Sequence, residues 1–172
     1  MRALLRSLWV VGLALLALAD AHAKEDPLRG YFPSARDVPK LEATYDGRHC
    51  GHEDLTPIYD GGYQRYLDAG VEDASQRFFR LPGGTVEITL NQLNSQAAAQ
   101  AFMASLCKDI KAAVESRSFK KRPSRMCIAE TQGTAYGYLA ADKLLAMVSF
   151  DQANEKAVRT ILQAIGERAA KR

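Results

Sequence analysis

Little in this sequence advertises chemistry. It holds no complete catalytic or cofactor motif. Its carboxylates, among them Glu53, Asp54, Asp60, Asp68, Glu72 and Asp73, fall at no spacing that marks an acid–base pair. No residue can be nominated as catalytic and no cofactor is expected, so the reading is non-enzymatic. Histidine numbers three in the whole chain, too few to close a tetrahedral metal site from two separate pairs. The formal net charge is +3, and it stays near balance once Arg2, Arg6 and Asp20 of the leader are set aside. Nothing global therefore argues for nucleic acid. There is no repeat at a fixed period and no long low-complexity tract, which excludes solenoids and disordered linkers. Past the first twenty residues no apolar run approaches the roughly 20 residues a membrane span needs.

What is present begins with an export leader. Arg2 and Arg6 give a positive start, Leu8 to Ala19 form an apolar run broken only by Gly12, and Ala21-His22-Ala23 is a small-x-small cleavage site. Signal peptidase reads that pattern because its pocket accepts only small side chains there. The expectation is a signal peptide over residues 1–23, cleavage before Lys24, and a soluble periplasmic or secreted product. No cysteine follows the cleavage site, so a lipid anchor is not expected. The remainder has the length of one domain and should bury roughly two-thirds of its unfolded surface.

Residues 24–51 read as an irregular N-terminal segment, punctuated by Pro27, Gly30, Pro33, Pro39 and Gly47, with the domain proper over 52–172. Thr56-Pro57 suits a helix start, and Leu55, Ile58, Tyr59, Tyr63, Tyr66 and Leu67 recur at helical spacing up to a stop at Gly70. Gly61-Gly62 would fall mid-helix, at roughly 1 kcal/mol per glycine. Close approach of that helix to another backbone is the expected compensation. Arg77 to Leu81, the turn Pro82-Gly83-Gly84 and Thr85 to Leu93 read as a hairpin. Val86, Ile88 and Leu90 alternate with Glu87, Thr89 and Asn91, one face buried and one wet. Asn94 or Ser95 caps a long helix from Gln96 to about Glu115. Three short strands follow, Met126 to Thr131, Thr134 to Ala141 and Leu144 to Phe150, joined by Gln132-Gly133 and Asp142-Lys143. A last amphipathic helix opens at Asp151 or Asn154, with Val158, Ile161, Leu162 and Ile165 inward. The order predicts an α+β fold: an antiparallel sheet, built from a hairpin and a three-strand meander, with about three helices packed on one face.

With Tyr59-Asp60-Gly61-Gly62-Tyr63-Gln64-Arg65-Tyr66, Gly70, the hairpin strand Val86 to Leu90 and the Ser95 to Phe102 helix start in view, the chain resembles a family of exported bacterial proteins. These carry a Y-x-G-G-x-x-x-Y-type helix followed by a hairpin. Gly137-Tyr138-Leu139 and Asp142-Lys143 are similar to that family's later hairpin. The resemblance implies export and an α+β domain; it implies no activity and no catalytic residues.

Four groups of residues are candidates for function. The first is Cys50, Cys107 and Cys127. In an oxidising compartment two of three should pair; Cys107 with Cys127 is favoured, on adjacent helix and strand, closing a loop of about 20 residues worth roughly 3 kcal/mol. Second, His49, Cys50 and His52 form the densest cluster of metal-ligand types, suited to zinc or copper; the alternative is a surface loop. A thiol paired with one of those histidines would also be the nucleophile of a thiol-dependent protein. Third, Tyr59 and Tyr63, with Tyr66, can line a pocket or simply pack a helix on a sheet. Fourth, Arg117, Lys120, Lys121, Arg122 and Arg125 make the one clear charge cluster, read as a basic loop. Its partners would be an acidic protein, an anionic ligand or the anionic surface of a membrane.

Overall fold

Alternation in the strand that runs from Gly84 predicts a two-sided sheet, and a computed structural model describing residues 26–172 contains one. Seven strands make it: β1 (Glu42–Gly51), β2 (Val71–Leu81), β3 (Gly84–Leu93), β4 (Glu115–Phe119), β5 (Arg122–Thr131), β6 (Thr134–Ala141) and β7 (Leu144–Phe150). Their order is β1-β2-β3-β7-β6-β5-β4, antiparallel throughout. Three helices accompany it: α1 (Tyr63–Asp68), α2 (Gln96–Asp109) and α3 (Glu155–Ala169). The expected signal peptide lies outside the described residues.

The α+β class and the antiparallel sheet stand. The helices, however, divide between the two faces. On one face Val86, Ile88, Leu139 and Val148 meet Val158, Ile161, Leu162 and Ile165 of α3, together with Leu28, Phe32, Val38 and Leu41 from the N-terminal segment. On the other, Leu93, Cys127, Tyr138 and Leu145 meet Ala99, Phe102, Met103, Leu106 and Cys107 of α2, with Leu55 and Tyr59 beside them. Successive residues of a strand point to opposite faces, so Tyr138 packs under α2 while Gly137 and Leu139 pack under α3. That is why β6 and β7 read as nearly unbroken apolar runs, as sheets covered on both sides do. Even the polar row of β3 is largely dry: Thr89 is 3% exposed and Asn91 0%. At Gly137 a side chain would place its Cβ 2.5 Å from Val158 and 2.8 Å from Leu162; the bare backbone is what seats α3.

The helix starts follow their caps. Ala98 N–H donates to Ser95 Oγ at 3.1 Å and Ala157 N–H to Asn154 Oδ1 at 3.0 Å, each such cap stabilising by about 1 kcal/mol. Four expectations are corrected. Residues 42–51, expected irregular, form the edge strand β1, whose apolar alternation is broken by register shifts around Tyr45; the preceding segment is anchored in the core. The helix expected from Pro57 is only α1. Asp54 Oδ1 accepts from Thr56 N–H at 3.0 Å and fixes a separate turn, and Gly61 takes φ +70°, which breaks the helical path. Around Gly61 and Gly62 an added Cβ would meet nothing within 4 Å, so no close approach exists there. The expected basic loop is a hairpin, β4 and β5, turning at Lys120-Lys121.

Candidate functional site

The structure separates the metal-type cluster. His49 and Cys50 are consecutive in β1 and point to opposite faces. His49 Nε2 lies 3.4 Å from Asp73 Oδ1 under the N-terminal segment. Cys50 packs on the α2 side among Leu55 and Tyr59. His52 lies beyond the strand, beside Glu53. Three ligands that diverge cannot share one ion, and no group of three His, Cys, Asp or Glu side chains gathers among the described residues. Burial pushes the Cys50 thiol up to about 11, helped by the nearby Asp54 and Asp73 carboxylates. Such a thiol is a poor nucleophile at neutral pH, since the thiolate is the reactive form. Cys107 and Cys127 are bonded to each other and both buried.

The tyrosines are also divided. Tyr59 is buried, its hydroxyl donates to Asn91 Oδ1, and its ring stacks on Tyr66 at 3.5 Å between centroids. Burial raises the Tyr59 phenol well above its ordinary range, and the neighbouring Tyr66 adds to the rise. Tyr63 is exposed. Tyr59 and Tyr66 pack on the α2 side, and Tyr63 stands apart from them in solvent.

The basic residues spread over three directions. Arg117 stands on the α3 face, bonded to Glu115, which also accepts from Arg159 at 2.9 Å. Those two guanidinium groups, Arg159 first, hold the Glu115 carboxyl down at about 2. Arg125 is exposed on the opposite, α2, face, across from Ala140. Lys120 and Lys121 form the hairpin tip with φ of 45° and 69°. A two-residue turn of this kind favours Asn-Gly, because both central residues sit in the left-handed region. Two lysines there cost roughly 1–2 kcal/mol each in backbone strain.

Arg122, the first residue after that tip, enters a site the charge cluster does not reveal. A cavity of about 180 Å³ opens at this end of the sheet, lined by Arg122, Lys143 and Arg172 together with Tyr31, Gln92 and Asp142. Each cation arrives by a different route. Arg122 opens β5. Lys143 occupies the β6–β7 turn, where Asp142 takes φ 53°. Arg172 follows α3, with its guanidinium 4.8 Å above the Tyr31 ring. None of the three is in an ion pair among the described residues. Asp142 is the one acidic side chain among the lining residues, against three cations, so the lining carries an excess of positive charge. The other hollows differ. A groove of about 620 Å³ beside α3 mixes Arg117 and Lys171 with Asp37 and Glu167. A hollow of about 480 Å³ on the β1–β2 face holds Arg80 and Arg48, but Arg48 is committed to the Pro57 carbonyl at 2.5 Å.

No family model matches this chain, and no curated protein matches it. Among solved structures it is similar to the extracellular domain of PknH from Mycobacterium tuberculosis, at 13% identity, over 77% of this chain and 82% of that one, with a TM-score of 0.44. Similarity at that level carries no argument about function, and the site must be read from its own residues. No helix among the described residues is long and apolar enough to cross a membrane.

Proposed function

We propose that this is an exported, non-enzymatic binding protein that holds an anionic group, of phosphate or sulfate type, at the basic end of its sheet. The observation that supports this reading is the convergence of Arg122, Lys143 and Arg172, all without ion-pair partners among the described residues, on one small cavity. Arginine forks match tetrahedral oxyanions in two-pronged fashion. The strained Lys120-Lys121 tip beside Arg122 extends the positive field outward and would steer a larger anionic partner, whether an acidic protein or a lipid headgroup, toward the cavity. The leader expected over residues 1–23 supplies the route of export.

Retention on a sulfated matrix tests the reading. The chain should bind a heparin column and elute at distinctly higher salt than the variant Arg122→Ser/Lys143→Ser/Arg172→Ser, because exposed charges are screened over about 8 Å at physiological ionic strength. These positions are at the surface, so the variant's stability should change by no more than about 0.5 kcal/mol per site. Equal elution of the two proteins, with both folded, would refute the proposed site.

A further inference from the structure

The two edges of the sheet are built differently. β1, at one edge, is interrupted twice in its register with β2, between Ala43 and Tyr45 and between Tyr45 and Arg48. Such bulges twist an edge away and keep another strand from pairing along it. β4, at the other edge, pairs with β5 in unbroken register from Glu115↔Met126 to Phe119↔Arg122. Its middle residues Ser116, Arg117 and Ser118 are exposed. A two-residue turn closes on Phe119 and Arg122, so Phe119, Arg117 and Glu115 direct their backbone groups to β5. Ser116 and Ser118 then direct theirs outward, since the two sets alternate along an antiparallel strand. Among the described residues no strand pairs with the outer edge of β4, which is regular and free of bulge or proline.

We propose that β4 is the dimerisation edge of this protein: a second copy pairs antiparallel along it, centred on Ser116, and the sheet runs on through both copies. Charge selects that register. Centring on Arg117 would set two arginines directly opposite each other. Centring on Ser116 sets Glu115 of each copy, already bonded to Arg117 and Arg159 of its own chain, opposite Arg117 of the other, so that the like-charge contact is avoided and opposite charges face across the strands. Val114, one of the two large apolar side chains exposed among the described residues, at 43%, then comes opposite Ser118 of the second copy. The two-fold axis of such a pairing is perpendicular to the sheet, so both α3 helices lie on the same side. The two grooves of about 620 Å³, whose walls include Arg117, Phe119, Thr160 and Gln163, then face each other across the seam. The antiparallel arrangement also sends the two Lys120-Lys121 tips to opposite ends, where they do not repel. The surface is independent of the anion site, and either can fail without the other.

Sedimentation velocity over a range of concentrations on the purified exported chain decides the matter. The wild type should sediment with the mass of two chains. Ser116→Pro removes an outward donor that β5 does not use, and Arg117→Glu makes both cross-strand contacts repulsive. Each should raise the dimer dissociation constant by roughly tenfold or more, with the far-ultraviolet circular dichroism unchanged. If Ser116→Pro disturbs folding, Arg117→Glu and Val114→Glu carry the test. A wild type that stays monomeric at about 100 μM, a concentration at which even weak pairing registers, overturns the proposal. So does a dimer that folded Arg117→Glu and Val114→Glu both leave intact.

Discussion

Each face of the sheet carries an apolar core under a helix, but the two covers are held by different chemistry. On the α2 face the cover is fastened by a covalent bond, Cys107–Cys127, and by buried phenols, with Tyr59 bonded to Asn91 and stacked on Tyr66; its one ion pair among the described residues, Arg65–Asp109 at 2.7 Å, is solvent-exposed and joins α1 to α2. On the α3 face the fastening is ionic. Arg168 binds Asp37 at 2.6 Å, Arg159 binds Glu115 at 2.9 Å, and Asp26 accepts from Ser75 at 2.8 Å with Arg77 nearby. The ionic set ties α3 and the N-terminal segment, residues far apart in sequence, onto one surface. One face therefore answers to redox conditions and the other to acid, although the apolar burial beneath them is alike.

Removing the disulfide should give the larger effect. Cys107→Ala with Cys127→Ala releases a crosslink spanning 20 residues, worth about 3 kcal/mol of chain entropy. For a chain of this size that lowers the melting temperature by roughly 6–12 °C. Hydrogen exchange should quicken in α2 and leave α3 protected; equal loss on both faces would erase the distinction between them.

Acid should act on the opposite face and by less. Burial alone would raise the Asp37 carboxyl, but hydrogen bonds from Arg168 and Ser34 override it and bring it from 3.8 to about 2. Glu115 falls from 4.5 to about 2 through Arg159 and Arg117. Between about pH 4.5 and pH 2 the unfolded chain then binds more protons than the folded one, so stability declines as pH drops through that window. Both groups are partly exposed, so solvent screening keeps the effect modest. Thermal unfolding followed from pH 5.5 to pH 2.5 should show the decline, and Asp37→Asn should flatten it. A wild-type melting temperature that does not change over that range contradicts the ionic description of the α3 face.

How much of this was legible in sequence follows the same division of local against distant signals. β6 and β7 carry strong apolar patterns and turn residues at 132–133 and 142–143, and their bounds could be read directly. So could the start of α2, narrowed to Asn94 or Ser95, and the inward stripe of α3, whose Val158, Ile161, Leu162 and Ile165 are all fully buried; the end of α2 could not, for it falls at Asp109 and not near Glu115, which opens β4. β1 could not, because its bulges and the positive φ of Gly47 destroy the two-residue period. The β4–β5 turn was hidden because Lys-Lys is not a turn signature. The Gly61-Gly62 pair misled for a related reason: glycine marks either a close contact or an unusual φ, and only the backbone distinguishes them. In the candidate site Arg122 stood out within a charge cluster. Lys143 and Arg172 did not, since a turn lysine and an arginine past a helix end are ordinary where they stand; cations there also complement the helix dipole. Only the meeting of three chain segments makes them a site.

The central claim is that an anion is held by Arg122, Lys143 and Arg172. Amide chemical shifts followed during titration with inorganic phosphate, at constant ionic strength, test it directly. The account predicts saturable shifts confined to residues around Tyr31, Gln92, Arg122, Asp142-Lys143 and Arg172, abolished by Arg122→Ser with Lys143→Ser. Shifts that do not saturate, or that saturate elsewhere on the molecule, would contradict it.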